Sequence, residues 1–122
     1  LLQIRNSGLR MGILTSNSAY NVGMFLKYNH LSDFIDFIYS DKSFFGKDIV
    51  LRKLLNHEKI LKEDAIYVGD ETRDIEASRK VGIPVIAVVW GFHNRKTLAS
   101  LNPDQIADTP EDLMGCIQKI LI

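Results

Sequence analysis

The chain has 122 residues, no formal net charge, and a composition that is 46% hydrophobic and 25% charged. This length fits one domain of ordinary size, and the neutral balance argues against a nucleic-acid-binding protein that depends on bulk positive charge. The single cysteine, Cys116, excludes an internal disulfide and a zinc site built from several cysteines.

The hydrophobic pattern predicts helices and strands in alternation. Short apolar runs that end in small polar residues or in Gly-Asp are typical of buried strands, whereas longer segments with their apolar residues on one face are typical of helices. Strands are predicted at residues 9–14, 34–39, 65–68, 84–89 and 105–107. Helices are predicted at residues 1–7, 19–28, 47–59, 72–80 and 111–122, with a loop at 42–46.

This alternation indicates an α/β fold, because parallel strands need crossover helices between them. The runs GILT, AIYV and VIAVV do not alternate between polar and apolar residues. Such runs suit strands that are covered on both faces of a mostly parallel sheet. No repeat, low-complexity tract or long linker divides the chain, so we expect a single domain over residues 1–122.

The strongest chemical signal is a GDxxxD motif at residues 69–74, in the more acidic half of the chain. Asp70 comes where an apolar strand ends, and ligands of open α/β sheets bind at the carboxyl ends of strands. Asp74 follows four residues later, so a helix that begins here places both carboxylates on one side. Paired carboxylates suit Mg²⁺. The alternative is that Asp70 is only a helix N-cap and Asp74 a favourable acid in the first turn.

A second signal is the polar segment Thr15-Ser16-Asn17, which follows the predicted strand GIL. A hydroxyl at the end of a strand, beside the backbone N–H groups that begin a helix, is a natural phosphate contact. An ordinary helix N-cap explains the same residues, and taken alone it is the favoured interpretation.

A third signal is Lys47, which stands before an amphipathic helix. Its ammonium group is a compact charge that suits a phosphate, but most lysines at such positions are simply solvated. A cation at a helix N-terminus opposes the helix dipole, and that local conflict favours a function. The three histidines show no metal-ligand spacing, so surface or loop roles are expected for His30, His57 and His93. Packing is favoured over a pocket border for Trp90 and Phe92, and a small core residue over a nucleophile for Cys116.

The order of these motifs resembles the haloacid dehalogenase-like superfamily, in particular its phosphoglycolate phosphatase and β-phosphoglucomutase-like branch. GILTSNS comes first, then Lys47 in FFGKDIVLRKLL, then AIYVGDETRDIEASRKVGIPVIAVVWGF, and LNPDQIADTPEDL closes the match. The resemblance covers nearly the whole chain from Gly8 onward. It implies a Rossmann-like three-layer sandwich and Mg²⁺-dependent hydrolysis of phosphate monoesters through an aspartyl-phosphate.

The resemblance also implies a role for each signal. Thr15 would bind the transferring phosphoryl group, with Ser16 and Asn17 beside it. Lys47 would offset charge on the phosphate and on the nucleophile. Asp70 would hold Mg²⁺ directly, and Asp74 would hold it directly or through water. These roles suit phosphoryl transfer, which depends mostly on positioning and charge stabilisation.

The chain departs from the family at one decisive point. The family's first motif, a strand that ends in DxD and supplies the nucleophile and the general acid/base, has no counterpart here, since no Asp precedes Asp33. The cap domain is absent as well. We therefore interpret the chain as the C-terminal part of a longer protein of this kind, with an incomplete core and without activity by itself. The alternatives are a non-catalytic module that binds phosphate or metal and, more weakly, a receiver-like domain.

The expected partners follow from the same reasoning. A missing central strand leaves two apolar strand edges, so we expect direct closure of the gap by the flanking strands, strand exchange, or a homodimer. The proposed chemistry requires a small phosphorylated substrate. No apolar run reaches the roughly 18 residues of a membrane span and no signal-peptide pattern begins the chain. We expect a cytoplasmic location without membrane or nucleic-acid partners.

Overall fold

The computed structural model describes residues 1–40 and 46–121. Its contacts group the chain into two compact units, Leu1–Phe45 and Gly46–Ile122. The helices are α1 Leu2–Asn6, α2 Ala19–Tyr28, α3 Lys47–His57, α4 Thr72–Val81, α5 Arg95–Ala99 and α6 Leu113–Leu121. The strands are β1 Gly12–Thr15, β2 Phe37–Ser40, β3 Tyr67–Gly69, β4 Val85–Val88 and β5 Gln105–Ala107.

The first unit is built on a pair of parallel strands. β1 and β2 run in register from Gly12 opposite Phe37 to Thr15 opposite Ser40, and α2 packs against β2. Gly12 has no room for a side chain, because a Cβ there would lie 1.9 Å from the Phe37 ring. This close approach of backbone and ring fixes the β1–β2 pairing.

The second unit contains a parallel sheet in the order β3-β4-β5. β4 is buried along its whole length, as expected for a central strand covered on both faces. Two of its residues, Val85 and Ala87, form a buried apolar cluster with Ile75 and Leu98. The α/β class with parallel strands is therefore confirmed.

The described strands form two sheets, one in each unit. Direct pairing of the strands that end at Thr15 and Asp70, one of the expected outcomes, is therefore not found. The prediction of a single domain over residues 1–122 stays a prediction.

Several element boundaries differ from the sequence-based expectation. The predicted strand at 34–39 begins only at Phe37, since Ser32–Phe34 form a 3-10 turn and the Asp36 carboxylate accepts a bond from the Met11 N–H, at 2.8 Å. The terminal helix begins at Leu113, after a 3-10 turn at Pro110–Asp112. Residues 42–45 of the predicted loop and Ile122 lie outside the described residues.

Helix α5 has no counterpart in the sequence-based prediction. Its N-cap is Asn94, whose side chain accepts a bond from the Thr97 N–H, at 2.9 Å, and Leu98 is its buried residue. Five residues are too few to show a clear apolar period. The helix follows the loop that begins after β4.

Candidate functional site

Asp70 is held by the loop that follows β4. The Phe92 N–H donates to Asp70 Oδ2 at 3.0 Å, and the His93 N–H donates to the Asp70 carbonyl at 3.1 Å. Gly91 lies so close that a Cβ there would be 2.1 Å from Asp70 Oδ2. The N-cap of α4 is Glu71, so the alternative that Asp70 is an N-cap is wrong. Its second part is confirmed, because Asp74 is an acid in the first turn of α4 and forms a capping box with Glu71.

Asp74 is a buried carboxylate with a protein donor on each oxygen. Its exposed fraction is 3%. Oδ1 accepts from the Tyr67 hydroxyl at 3.2 Å and from Lys47 Nζ, and Oδ2 accepts from the Glu71 N–H at 3.0 Å. A buried carboxylate needs such partners, because an unpaired charge away from water is costly.

Lys47 supplies the charge that compensates Asp74. It is the first residue of α3, after Gly46, whose φ of +85° lies in the left-handed region that favours glycine. Buried Leu51, Leu54 and Leu55 form the apolar face of α3, which packs against α4. The Lys47–Asp74 ion pair crosses that contact, so the alternative of a simply solvated lysine is wrong.

Tyr67, in β3, contacts both Asp74 and Lys47. Lys47 Nζ lies 5.9 Å from the centre of its ring, within the range of a cation–π contact. Burial, and next the charge and hydrogen bond of Asp74, raise the pKa of the Tyr67 hydroxyl far above its ordinary value. The hydroxyl is therefore a permanent donor to Asp74 at neutral pH.

His93 contacts the segment that joins β3 to α4. Its Nδ1 accepts a bond from the Thr72 N–H, at 3.1 Å, in the first turn of α4. His93 lies in the loop between β4 and α5, so the expected loop position is confirmed. The neighbouring aromatic residues are largely exposed, Trp90 by 46% and Phe92 by 75%, so the prediction that they pack inside was wrong. Cys116 is a buried residue of α6, as expected.

Thr15, Ser16 and Asn17 lie in the first unit, at the end of β1. The Asn17 N–H donates to Thr15 Oγ1 at 3.0 Å. The N-cap of α2 is Ser18, whose hydroxyl accepts from the Asn21 N–H at 3.0 Å. Capping is therefore done by the next residue, and the predicted phosphate-binding role of the three preceding ones stays a prediction.

Asp70 and Asp74 differ in how many of their carboxylate oxygens are left for a Mg²⁺ ion. Within residues 1–40 and 46–121, no group of three or more His, Cys, Asp or Glu side chains forms a metal cluster. Mg²⁺ does not require one, because it commonly takes one or two carboxylates together with waters and phosphate oxygens. Asp70 fits as a direct ligand because, among the described residues, a protein donor bonds its Oδ2 and none bonds its Oδ1. Both oxygens of Asp74 are engaged.

Comparison with known proteins shows the family of the chain. The sequence model of the haloacid dehalogenase-like hydrolase family matches residues 1–88 of the chain. The chain belongs to the haloacid dehalogenase-like hydrolase family. A solved haloacid dehalogenase-like hydrolase from Streptococcus pneumoniae covers 96% of the chain with a TM-score of 0.83 and 28% identity, and the match spans 56% of that protein.

Two curated relatives of the chain bear the names of a phosphatase and a pyrophosphatase. A phosphoglycolate phosphatase from Synechococcus elongatus is 36% identical over 99% of the chain, and a pyrophosphatase from Bacillus mycoides is 28% identical over 97% of it. The chain spans only 57% and 56% of these two relatives. Within the described part of the chain, no helix is both long and apolar enough to cross a membrane.

Sequence reasoning missed two members of this candidate site. Tyr67 is one residue in an apolar strand, and its position three residues before Asp70 was the only available signal. His93 lies 21 residues from Thr72, and no metal-ligand spacing marks it. The partner of each lies in another structural element, which a local pattern does not reveal.

Proposed function

We propose that this chain is the C-terminal part of a Mg²⁺-dependent phosphatase that hydrolyses small phosphate monoesters through an aspartyl-phosphate in the full-length protein. The observation that carries the proposal is the joint placement of Lys47, Asp70 and Asp74. A cation and two acids lie around the end of β3 and the start of α4. That charge pattern suits an electrostatic site for phosphoryl transfer.

Each residue has a proposed role. Asp70 holds Mg²⁺ directly, and the ion when bound neutralises charge on the phosphate. Asp74 contributes through water and by fixing Lys47, because its own oxygens already accept bonds within the protein. Lys47 offsets the charge of the phosphate and the nucleophile. Thr15, with Ser16 and Asn17, contacts the phosphoryl group.

By itself the chain should be inactive, since it contains no DxD motif to supply a nucleophile. The alternative, a non-catalytic module that binds phosphate or metal, is favoured by the same observation. Both predict Mg²⁺ binding without turnover. They differ once an upstream segment with a DxD strand is supplied, because only the first then predicts hydrolysis.

The test is titration calorimetry of the chain with Mg²⁺, joined to an assay with p-nitrophenyl phosphate. We expect binding that Asp70→Asn removes, whereas Asp64→Asn, a change in an exposed acid of the same unit, leaves it intact. We expect no turnover. Turnover that Asp70→Asn abolishes would contradict the inactivity of the chain, and absence of Mg²⁺ binding would contradict the site.

We further propose that the β3 edge accepts a strand from a second chain, in a homodimer or by strand exchange. Among the described strands, β3 is an end strand of its sheet, and Val68 is 42% exposed. An unpaired apolar edge is a template for another strand. Light scattering tests this proposal, and a monomer at all concentrations with cooperative unfolding would refute it.

A further inference from the structure

The first turn of α4 is capped from another loop. The first amides of a helix have no partner within it, and the Thr72 N–H finds one in Nδ1 of His93, at 3.1 Å. An imidazole nitrogen accepts a bond only when it carries no proton. In this contact Nδ1 of His93 is therefore the acceptor.

The main chain of His93 makes a second link to the same segment. Its N–H donates to the Asp70 carbonyl at 3.1 Å, and the preceding N–H, of Phe92, donates to Asp70 Oδ2 at 3.0 Å. The Phe92 ring meets the imidazole edge to face, with 4.7 Å between the ring centres. Side chain and main chain together therefore join the loop after β4 to the loop after β3.

We propose that His93 is a positioning residue of the metal site, because its imidazole, by accepting the Thr72 N–H, fixes the Phe92 N–H against the Asp70 carboxylate. This inference rests on the proposed function, in which Asp70 holds Mg²⁺. One oxygen of Asp70 is then kept on the protein while the other is presented to the cation. Partners that orient a ligand in this way commonly change metal affinity about 10- to 100-fold.

The matched variants are His93→Asn, His93→Gln and His93→Ala. The Asn side-chain oxygen takes nearly the place of Nδ1, whereas the Gln oxygen takes nearly the place of Nε2 and Ala removes the acceptor. We expect Thr72 amide exchange to be slow in the wild type and in His93→Asn, and fast in the other two. We expect Mg²⁺ affinity to follow the same order, with a loss of about 10-fold or more in the Gln and Ala variants.

The outcomes separate this inference from the proposed function. If the wild type binds Mg²⁺ and the Gln and Ala variants bind it equally well, the role of His93 is overturned while the metal site stands. A ¹⁵N spectrum that shows a proton on Nδ1 of the neutral ring also overturns it. If the wild type binds no Mg²⁺, the proposed function fails, and the positioning role fails with it. Should the Ala variant not fold, the comparison of Asn with Gln decides.

Discussion

Lys47 and Asp74 form an ion pair between the first turns of two adjacent helices, although 27 residues separate them in the chain. The acid is almost fully buried, with a side-chain exposure of 4%, and the lysine is about one-third exposed, at 31%. The pair therefore has two consequences. It secures a buried charge, and it holds an ammonium group at the end of the sheet where the phosphate is proposed to bind.

Replacing Lys47 with Met should destabilise the protein, because the buried Asp74 carboxylate loses its charged partner. We expect a loss of about 1–3 kcal/mol in the free energy of unfolding, measured by urea denaturation. Lys53→Met, an exposed position on the same helix, should change it by less than about 0.5 kcal/mol. In the Asp74→Asn background the Lys47 substitution should cost clearly less, and equal costs in both backgrounds would refute the coupling.

Tyr67 predicts how stability changes at alkaline pH. Its folded-state pKa is raised above the unfolded value by burial and by Asp74, so above about pH 10 the unfolded chain releases a proton that the folded chain keeps. Stability is therefore present below that pH and is lost as the pH rises. Removing this group should lessen the slope of stability against pH by up to about 1.4 kcal/mol per pH unit.

The measurement is urea unfolding of Tyr67→Phe and wild type between about pH 8 and pH 11. Tyr28→Phe is the matched control, because that side chain is 76% exposed and its loss should leave the slope unchanged. A Tyr67→Phe variant with the wild-type slope would show that the phenol titrates equally in both states.

Gly91→Ala should disturb Asp70 specifically. The added methyl would lie 2.1 Å from Asp70 Oδ2, so the carboxylate or the loop must move. We expect Mg²⁺ affinity to fall at least about tenfold and stability to fall by about 1–3 kcal/mol. Gly115→Ala in α6 meets no atom within 4 Å and should instead stabilise by about 0.5–1 kcal/mol. Unchanged Mg²⁺ binding in Gly91→Ala would contradict the proposal that the loop after β4 positions Asp70 for the metal ion.

Ser78→Ala should stabilise the protein. Ser78 is fully buried in α4, and its hydroxyl has no hydrogen-bond partner among the described residues. Removal of an unsatisfied buried hydroxyl, together with the higher helix propensity of Ala, should raise the free energy of unfolding by about 1 kcal/mol. The control is Ser100→Ala, whose hydroxyl donates to the Thr97 carbonyl at 2.6 Å and whose loss should give no gain. A destabilised Ser78→Ala variant would disprove the interpretation.

The sequence by itself determined the α/β class and the position of the strongest motif. A buried strand such as β4 has a continuous apolar run in the sequence. The end of α4 is also local, because its C-cap Gly82 has a φ of +92°, which suits glycine. These features depend on neighbours in the chain. Asp70, Asp74 and Lys47 were found in the same way, from their places at the ends of predicted elements.

The tertiary structure alone decided which groups those residues meet. The Tyr67–Asp74, Lys47–Asp74 and Thr72–His93 contacts each join residues of two different elements or loops, which are 7, 27 and 21 residues apart in the sequence. Only the packing of α3 on α4, and of the loop after β4 on the loop after β3, brings those atoms within hydrogen-bonding distance. Local patterns locate a charged group, but burial and a specific partner, which are set by packing, determine what that group can do.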